Sequence, residues 1–125
     1  MPGKKNILLV EDDEFLAELY GTKLGLDGYD VALASDGEKG LKMIKEKKPD
    51  LVLLDIILPK MDGFEVLKAV KADKLLKNIP IILLTNLSQK DEVKKGLELG
   101  AKDYLIKAHF MPSEVVKKIK ETIGE

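Results

Sequence analysis

The stretch from Leu51 to Gly63, LVLLDIILPKMDG, begins with four aliphatic residues and then places a carboxylate, Asp55, where the apolar run would continue. Such an aliphatic run is typical of a strand that is buried on both faces of a sheet. A buried charge without a partner is costly, so Asp55 predicts that a cation lies close to it. The remainder of the sequence has to supply that cation.

Size and composition limit what the chain can be. It has 125 residues, 45% hydrophobic content and a formal net charge of -1, which predicts a single domain over residues 1–125 with no room for a second catalytic or DNA-binding domain. Without a basic field, direct binding of nucleic acid is not expected. No apolar run could span a membrane, and the start MPGKKNILLVEDD becomes acidic too early for a secretory signal. We therefore expect a cytoplasmic protein with no membrane contact.

Several reactive residue types are absent or rare. The chain has no cysteine, which excludes disulfides and thiol chemistry. It has one histidine, His109, which argues against histidine-rich metal sites and catalytic triads. Every other basic residue is lysine, so arginine clamps on phosphate groups cannot form.

Five short apolar runs are predicted to be strands, and each is followed by a helix-like segment. They cover residues 6–10, 29–34, 51–55, 79–85 and 103–107. Their spacing suits strand–helix units and is too long for hairpins. The pattern predicts an α/β fold with a doubly wound, five-stranded parallel sheet and helices on both faces. For this sheet we assume the flavodoxin-like strand order 2-1-3-4-5.

The predicted helices have recognisable ends and faces. Ser35 precedes Glu38 by three residues, which is the spacing of a capping box. Gly100 is expected to end the fourth helix, and Pro112 to lie near the start of the fifth. The first helix, residues 15–26, is expected to bury an apolar stripe made of Phe15, Leu16, Leu19, Tyr20, Leu24 and Leu26.

Polar side chains follow four of the five predicted strands. Glu11 and Asp12 follow the first strand, Asp55 ends the third, Thr85 ends the fourth and Lys107 ends the fifth. In an open parallel sheet, ligands bind outside the carboxyl ends of the strands at the point where the strand order reverses. With the order 2-1-3-4-5, strands 1 and 3 flank that point and bring the three acids together.

These residue types predict phosphoryl chemistry. Carboxylates placed this close raise one another's pKa values or require cations. Lys107 supplies one cation, and Mg²⁺, which prefers oxygen ligands, is the natural second one. Three carboxylates, one divalent ion and one ammonium sum to zero charge, which prepares the cleft for a phosphoryl group. Asp55 is then the nucleophile that forms an acyl phosphate, and the Thr85 hydroxyl can donate to a phosphoryl oxygen.

At these residues the chain resembles the response regulator receiver domains of two-component signalling, over nearly its whole length. In ILLVEDD, PDLVLLDIILPKMDGFEVL, PIILLT and GAKDYLIK it is similar to the family's acidic, phosphoacceptor, hydroxyl and lysine strands, in that order. The size is similar to that of single-domain, chemotaxis-regulator-like members. The resemblance implies that Asp55 is the phosphoacceptor and that Glu11, Asp12, Asp55 and the carbonyl of Ile57 hold Mg²⁺.

The resemblance also implies a switch and its partners. Thr85 and Lys107 would contact the phosphoryl group, and Thr85 would act together with the aromatic residue Tyr104. A sensor histidine kinase or phosphotransfer protein would donate the phosphoryl group, and a separate downstream protein would bind the face formed by the fourth helix, fifth strand and fifth helix. The family usually has proline after its lysine, where this chain has Ala108, so we expect a trans bond there.

Other functions are weighed against this one. Phosphatases with an aspartate nucleophile also use Mg²⁺, but they need a second acid two residues later, where this chain has Ile57. A module that binds partners without phosphorylation would not need the full set of polar residues. Flavin binding is disfavoured by the acids after the first strand. We expect no enzyme turnover beyond self-phosphorylation and a slow self-dephosphorylation, because Ile57 and Leu87 are apolar where polar residues could orient water.

Overall fold

The computed structural model describes residues 4–85, 90–107 and 112–124. Within these ranges strands and helices alternate along the chain. The strands are β1 (Asn6–Val10), β2 (Asp30–Ala34), β3 (Leu51–Asp55), β4 (Ile81–Thr85) and β5 (Asp103–Ile106). The helices are α1 (Glu14–Leu26), α2 (Gly37–Lys47), α3 (Gly63–Ala72), α4 (Lys90–Glu98) and α5 (Pro112–Ile123). In the described part of the chain, no helix is long and apolar enough to cross a membrane.

The strands form one parallel sheet in the order β2-β1-β3-β4-β5. The predicted α/β class, flavodoxin-like order and parallel pairing are therefore confirmed. The predicted bounds of β1 and β3 are confirmed, and those of the other three strands differ from the observed ones by one or two residues. β4 begins at Ile81 rather than at residue 79, and β5 ends at Ile106, so Lys107 lies just beyond the strand.

Alternate residues of the central strands pack into two separate cores, one on each face of the sheet. One core unites Leu8, Val10, Val52 and Leu54 with side chains of α2 and α3. The other unites Ile7, Leu9, Leu51 and Leu53 with side chains of α1 and α5. All of β3 is buried, as the aliphatic run predicts. This two-sided burial fixes the position of Asp55, which ends β3.

The predicted buried stripe of α1 is only partly correct. Tyr20 and Leu24 are buried, together with Ala17. Phe15, Leu19 and Leu26 are instead exposed, at 73%, 41% and 80%. The helix is apolar on two sides, and the side carrying the small residue Ala17 is the one that packs on the sheet.

The predicted capping box at the start of α2 is wrong. The residue that caps α2 is Asp36, whose Oδ1 accepts the Lys39 N–H at 2.8 Å. A complete capping box occurs at α3, where the Asp62 and Glu65 side chains each accept a backbone N–H of the other residue. Gly100, with φ +113°, and Pro112 lie where their helix ends were expected.

Candidate functional site

The acidic residues meet at the carboxyl ends of β1 and β3. Val10 pairs with Leu54 across the two strands, so the residues that follow, Glu11 and Asp55, lie side by side. Both are buried, at 2% and 6% exposure, while the neighbouring Asp12 is exposed. Carboxylate oxygens of Glu11, Asp12 and Asp55 all lie within 4.8 Å of one another. The register of two buried strands therefore assembles the acidic cluster.

Lys107 is the cation that contacts this cluster. Its Nζ donates a hydrogen bond to Asp55 Oδ2 at 2.7 Å. The same Nζ lies 2.7 Å from Glu11 Oε1 in an ion pair. One ammonium group thus pairs with two buried carboxylates, and it is the cation that the buried Asp55 requires.

The pKa values reflect burial and mutual charge. Burial raises the pKa of the Glu11 carboxyl above its usual value, Asp55 raises it further, and Lys107 lowers it. Burial alone lowers the pKa of the Lys107 ammonium, but hydrogen bonds and charges from Asp55 and Glu11 outweigh burial and raise it. Ionisation of the Glu11 carboxyl is therefore less favourable than in water even with Lys107 beside it.

The acids open into a cleft of about 480 Å³ whose lining residues are Glu11, Asp12, Asp13, Leu16, Asp55, Ile57 and Lys107. The backbone N–H of Ile57 donates to Asp55 Oδ1 at 3.3 Å, while the Ile57 side chain is 59% exposed. Sequence reasoning did not place Leu16 here. Its position in the first turn of the helix that follows Asp12 is the signal that could have done so.

Asp13 belongs to the start of α1. Its Oδ1 accepts the Leu16 N–H at 3.1 Å, as expected of a helix N-cap, and its own N–H donates to Glu11 Oε2 at 3.3 Å. Glu11 is thereby held between Lys107 and the first turn of the helix. This fixes the Glu11 side chain away from the mouth of the cleft, and leaves Asp12 on the open side.

The two predicted switch residues occupy different environments. Thr85, the last residue of β4, is buried at 1% exposure and is not among the residues that line the cleft. Tyr104 on β5 is 38% exposed, and its N–H donates to Asp103 Oδ1 at 2.8 Å. Of the predicted site residues, the cleft brings together Glu11, Asp12, Asp55, Ile57 and Lys107.

Two sequence-based expectations fall on residues outside the described ranges. They concern the trans bond before Ala108 and the part of Leu87 in slow self-dephosphorylation. These remain predictions.

The side chains that are present fit a hard divalent cation. The cluster offers carboxylate oxygens, which are the ligands Mg²⁺ prefers, and the Asp12 carboxylate is exposed to solvent. The ammonium of Lys107 balances only one of the three carboxylate charges, so the cluster keeps a net negative charge that suits a divalent cation.

Comparison with known proteins identifies the family. Residues 7–120 match the model of the response regulator receiver domain. The chain is 46% identical over 116 residues to the alkaline phosphatase synthesis transcriptional regulatory protein PhoP of Bacillus subtilis, covering 93% of this chain and 47% of PhoP. It is 40% identical to the DNA-binding response regulator MtrA of Mycobacterium tuberculosis, covering 94% of this chain and 50% of MtrA. The chain spans about half the length of these relatives.

Solved structures agree with the sequence comparison. A response regulator from Chloroflexus aurantiacus superposes with a TM-score of 0.91 at 35% identity, covering 98% of this chain and 99% of the other. The receiver domain of the sensor histidine kinase PA1611 of Pseudomonas aeruginosa superposes with a TM-score of 0.89 at 29% identity, covering 98% of this chain and 100% of the other. The PA1611 structure has a magnesium ion coordinated in its active-site cleft.

Proposed function

This chain belongs to the response regulator receiver domain family, whose members signal through phosphorylation, and from that premise we propose that Asp55 is its phosphoacceptor. One observation carries the proposal. Asp55 is a buried carboxylate at the end of the central strand, with Lys107 Nζ at 2.7 Å and two further acids within 4.8 Å. Glu11, Asp12 and Asp55 are, among the described residues, the acidic group whose carboxylate oxygens are close enough to bind one metal ion together.

The residues of the cleft have separable tasks in phosphoryl transfer. A bond forms between an Asp55 carboxylate oxygen and phosphorus while the bond from phosphorus to the donor's leaving atom breaks, so the product is an acyl phosphate. Asp12 and Asp55, with the Ile57 carbonyl, would hold Mg²⁺, and Glu11 would act largely through water. When bound, Mg²⁺ would supply positive charge to the phosphoryl oxygens. Lys107 orients Asp55 beforehand and then stabilises the charge that develops on the phosphoryl group.

The signal would pass through Thr85 and Tyr104. We propose that the Thr85 hydroxyl moves toward a phosphoryl oxygen and leaves room for the half-exposed Tyr104 ring. The surface that changes is the output face, made of α4, β5 and α5. A downstream protein binds that face in the phosphorylated state.

A protein donor needs a surface beside the cleft, and α1 offers one. The exposed side chains Phe15, Leu19 and Leu26 form an apolar outer surface on this helix, and its N-cap Asp13 and first-turn residue Leu16 line the cleft. Because the same helix carries this surface and part of the cleft lining, we propose that a histidine kinase or phosphotransfer protein binds it while transferring the phosphoryl group.

Three wider expectations remain proposals. Residues 1–125 would act as one domain, like the single-domain, chemotaxis-regulator-like members of the family. Output would pass through a separate protein and not through direct binding of nucleic acid. The protein would be cytoplasmic. The relatives PhoP and MtrA, named as a transcriptional regulatory protein and a DNA-binding response regulator, are about twice as long as this chain.

The proposal is tested by intact-mass spectrometry after incubation with acetyl phosphate, with Mg²⁺ in one sample and EDTA in a matched one. We expect one phosphoryl group to be added with Mg²⁺ and none with EDTA. Absence of the added mass at saturating Mg²⁺ would contradict the proposal. Steady release of phosphate from a small phosphoester would instead favour the phosphatase alternative.

A further inference from the structure

The loop between β3 and α3, residues 56–62, connects Asp55 to the next helix and forms one wall of the cleft. It carries Ile57, whose N–H holds Asp55 Oδ1. Any shift of this loop would therefore move the backbone of Ile57 and the side chain of Asp55 together. What holds the loop in place determines the geometry of the site.

The first residue of α2 packs directly against this loop. A methyl group added to Gly37 would overlap the carbonyl oxygen of Met61 and lie 2.6 Å from its carbonyl carbon. The Gly37 N–H also donates to the Pro59 carbonyl at 3.4 Å. Both partners are backbone groups of the loop, which cannot rotate aside as a flexible side chain could. A side chain at position 37 is therefore accommodated only if the loop moves.

A second contact holds the same loop to the same helix end. The buried Asp36 caps α2 through Oδ1, and its Oδ2 lies 3.9 Å from Lys60 Nζ. Lys60 has φ +68°, a left-handed conformation that is unfavourable for a residue with a side chain. Such a conformation persists only where surrounding contacts determine it, which is consistent with a loop held from α2.

We propose that Gly37 is a positioning residue for the metal and phosphoryl site, because its lack of a side chain lets α2 hold the β3–α3 loop in place. Gly37 is not among the residues that line the cleft, so it acts through Met61 and Pro59 on Ile57 and Asp55. The inference rests on the proposed function, in which the Ile57 carbonyl and Asp55 hold Mg²⁺.

The test compares the Mg²⁺ affinity of glycine-to-alanine variants, measured from amide shifts in a Mg²⁺ titration. For Gly37→Ala we expect affinity to fall roughly tenfold or more, as for changes that misplace a metal ligand. Phosphorylation by acetyl phosphate should fall at low Mg²⁺ and recover in part when Mg²⁺ is raised. Both measurements are made where circular dichroism shows the variant fully folded without Mg²⁺, because Mg²⁺ would otherwise rescue a merely destabilised variant in the same way.

Two control variants separate positioning from folding. A methyl group at Gly96 would overlap Leu83 Cδ1 in the core, so Gly96→Ala should lower the melting temperature and leave the Mg²⁺ dissociation constant within about twofold of wild type. A methyl group at Gly25 meets nothing within 4 Å, so Gly25→Ala should leave Mg²⁺ binding unchanged.

A second test variant covers the case in which Gly37→Ala does not fold. Lys60→Glu keeps a side chain at this exposed loop residue and replaces the attraction to Asp36 with a repulsion. We expect it to remain folded and to bind Mg²⁺ more weakly than wild type. If wild type binds Mg²⁺ and the test variants that fold bind it equally well, the inference about Gly37 is wrong. If wild type binds no Mg²⁺, the proposed function and this inference fail together.

Discussion

At the scale of single residues, the site contains more negative charges than positive ones. Glu11, Asp12 and Asp55 carry three charges against the single charge of Lys107, and Glu11 and Asp55 are buried. Burial raises the pKa of Glu11, and the neighbouring charge of Asp55 raises it further. The excess of negative charge gives the cleft an intrinsic attraction for a divalent cation.

Removing the ammonium group should show its contribution directly. Without metal at neutral pH, we expect Lys107→Met to lower the free energy of unfolding by about 1 to 3 kcal/mol, because two buried carboxylates lose their shared partner. The pKa of Lys107 is raised in the folded state above the ordinary lysine value of 10.5. The stability that the ammonium contributes is therefore fully present below pH 10.5 and is lost as the pH rises through the folded-state pKa.

Urea unfolding at neutral and alkaline pH measures this dependence. Lys102→Met, which changes an exposed lysine, is the control and should have little effect at either pH. A Lys107→Met protein as stable as wild type at neutral pH would show that the ion pairs contribute nothing.

The lifetime of the phosphoryl group should depend on Ile57. Its side chain is exposed at the cleft and cannot orient an attacking water. We expect Ile57→Asn to shorten the phosphoryl half-life by roughly one to two orders of magnitude, since a positioned polar group assists hydrolysis. Leu75→Asn, at an exposed apolar residue outside the cleft, is the matched control. Equal half-lives for wild type and Ile57→Asn would show that the apolar side chain of Ile57 does not slow self-dephosphorylation.

At the scale of elements, the sequence predicts strands better than helix faces. Each strand is a short aliphatic run that can be read without knowledge of its neighbours, so the strands and the residues at their ends could be predicted, whereas the order 2-1-3-4-5 is an assumption that the structure confirms. The buried face of α1 could not, because apolar residues such as Phe15 and Tyr20 occur on both sides of the helix. Which side packs depends on the small residues Ala17 and Gly21, and Gly21 lies close to Leu33 of β2.

The start of α2 shows the same limit. Ser35 and Asp36 are both good capping residues, and Ser35 also has the favourable spacing to Glu38. The helix nevertheless begins at Gly37, where it meets Met61 across 24 residues of chain. A contact between residues so far apart in sequence leaves no local signal, so the cap and the positioning role of Gly37 could not be predicted.

The observed cap predicts different outcomes for two adjacent substitutions. Asp36→Ala should lower the free energy of unfolding by about 1 kcal/mol, because the N–H of Lys39 loses its acceptor. Ser35→Ala, at an exposed residue, should change it by less than about 0.5 kcal/mol. Urea unfolding of both variants under the same conditions gives the comparison. A larger loss of unfolding free energy for Ser35→Ala than for Asp36→Ala would instead support the capping box predicted from the sequence.

At the scale of the whole molecule, the sheet connects the site to the output face. β4 and β5 pair so that Leu83 lies beside Tyr104 and Thr85 beside Ile106, the residue before Lys107. The Lys118 side chain of α5 is 2.9 Å from Asp103 Oδ2 at the start of β5, which ties the strand to the helix. A change at Asp55 therefore has a continuous structural route through Lys107 and β5 to α5.

Phosphorylation should be visible along this route. We expect amide shifts after treatment with acetyl phosphate and Mg²⁺ to extend from Asp55 to Tyr104 and into α5, because the phosphoryl group biases both switch residues. In Tyr104→Ala the shifts near Asp55 should persist and those in α5 should shrink. Shifts confined to the cleft in wild type would contradict a switch that reaches the output face.

The most direct test of the central claim is the mass of Asp55→Asn after incubation with acetyl phosphate and Mg²⁺. Asparagine keeps the size of the side chain but cannot form the acyl phosphate. Asp62→Asn is the matched control, since asparagine also caps a helix well. We predict that wild type and Asp62→Asn each gain one phosphoryl group and that Asp55→Asn, still folded by circular dichroism, gains none. If Asp55→Asn were phosphorylated to the same extent as wild type, Asp55 would not be the phosphoacceptor.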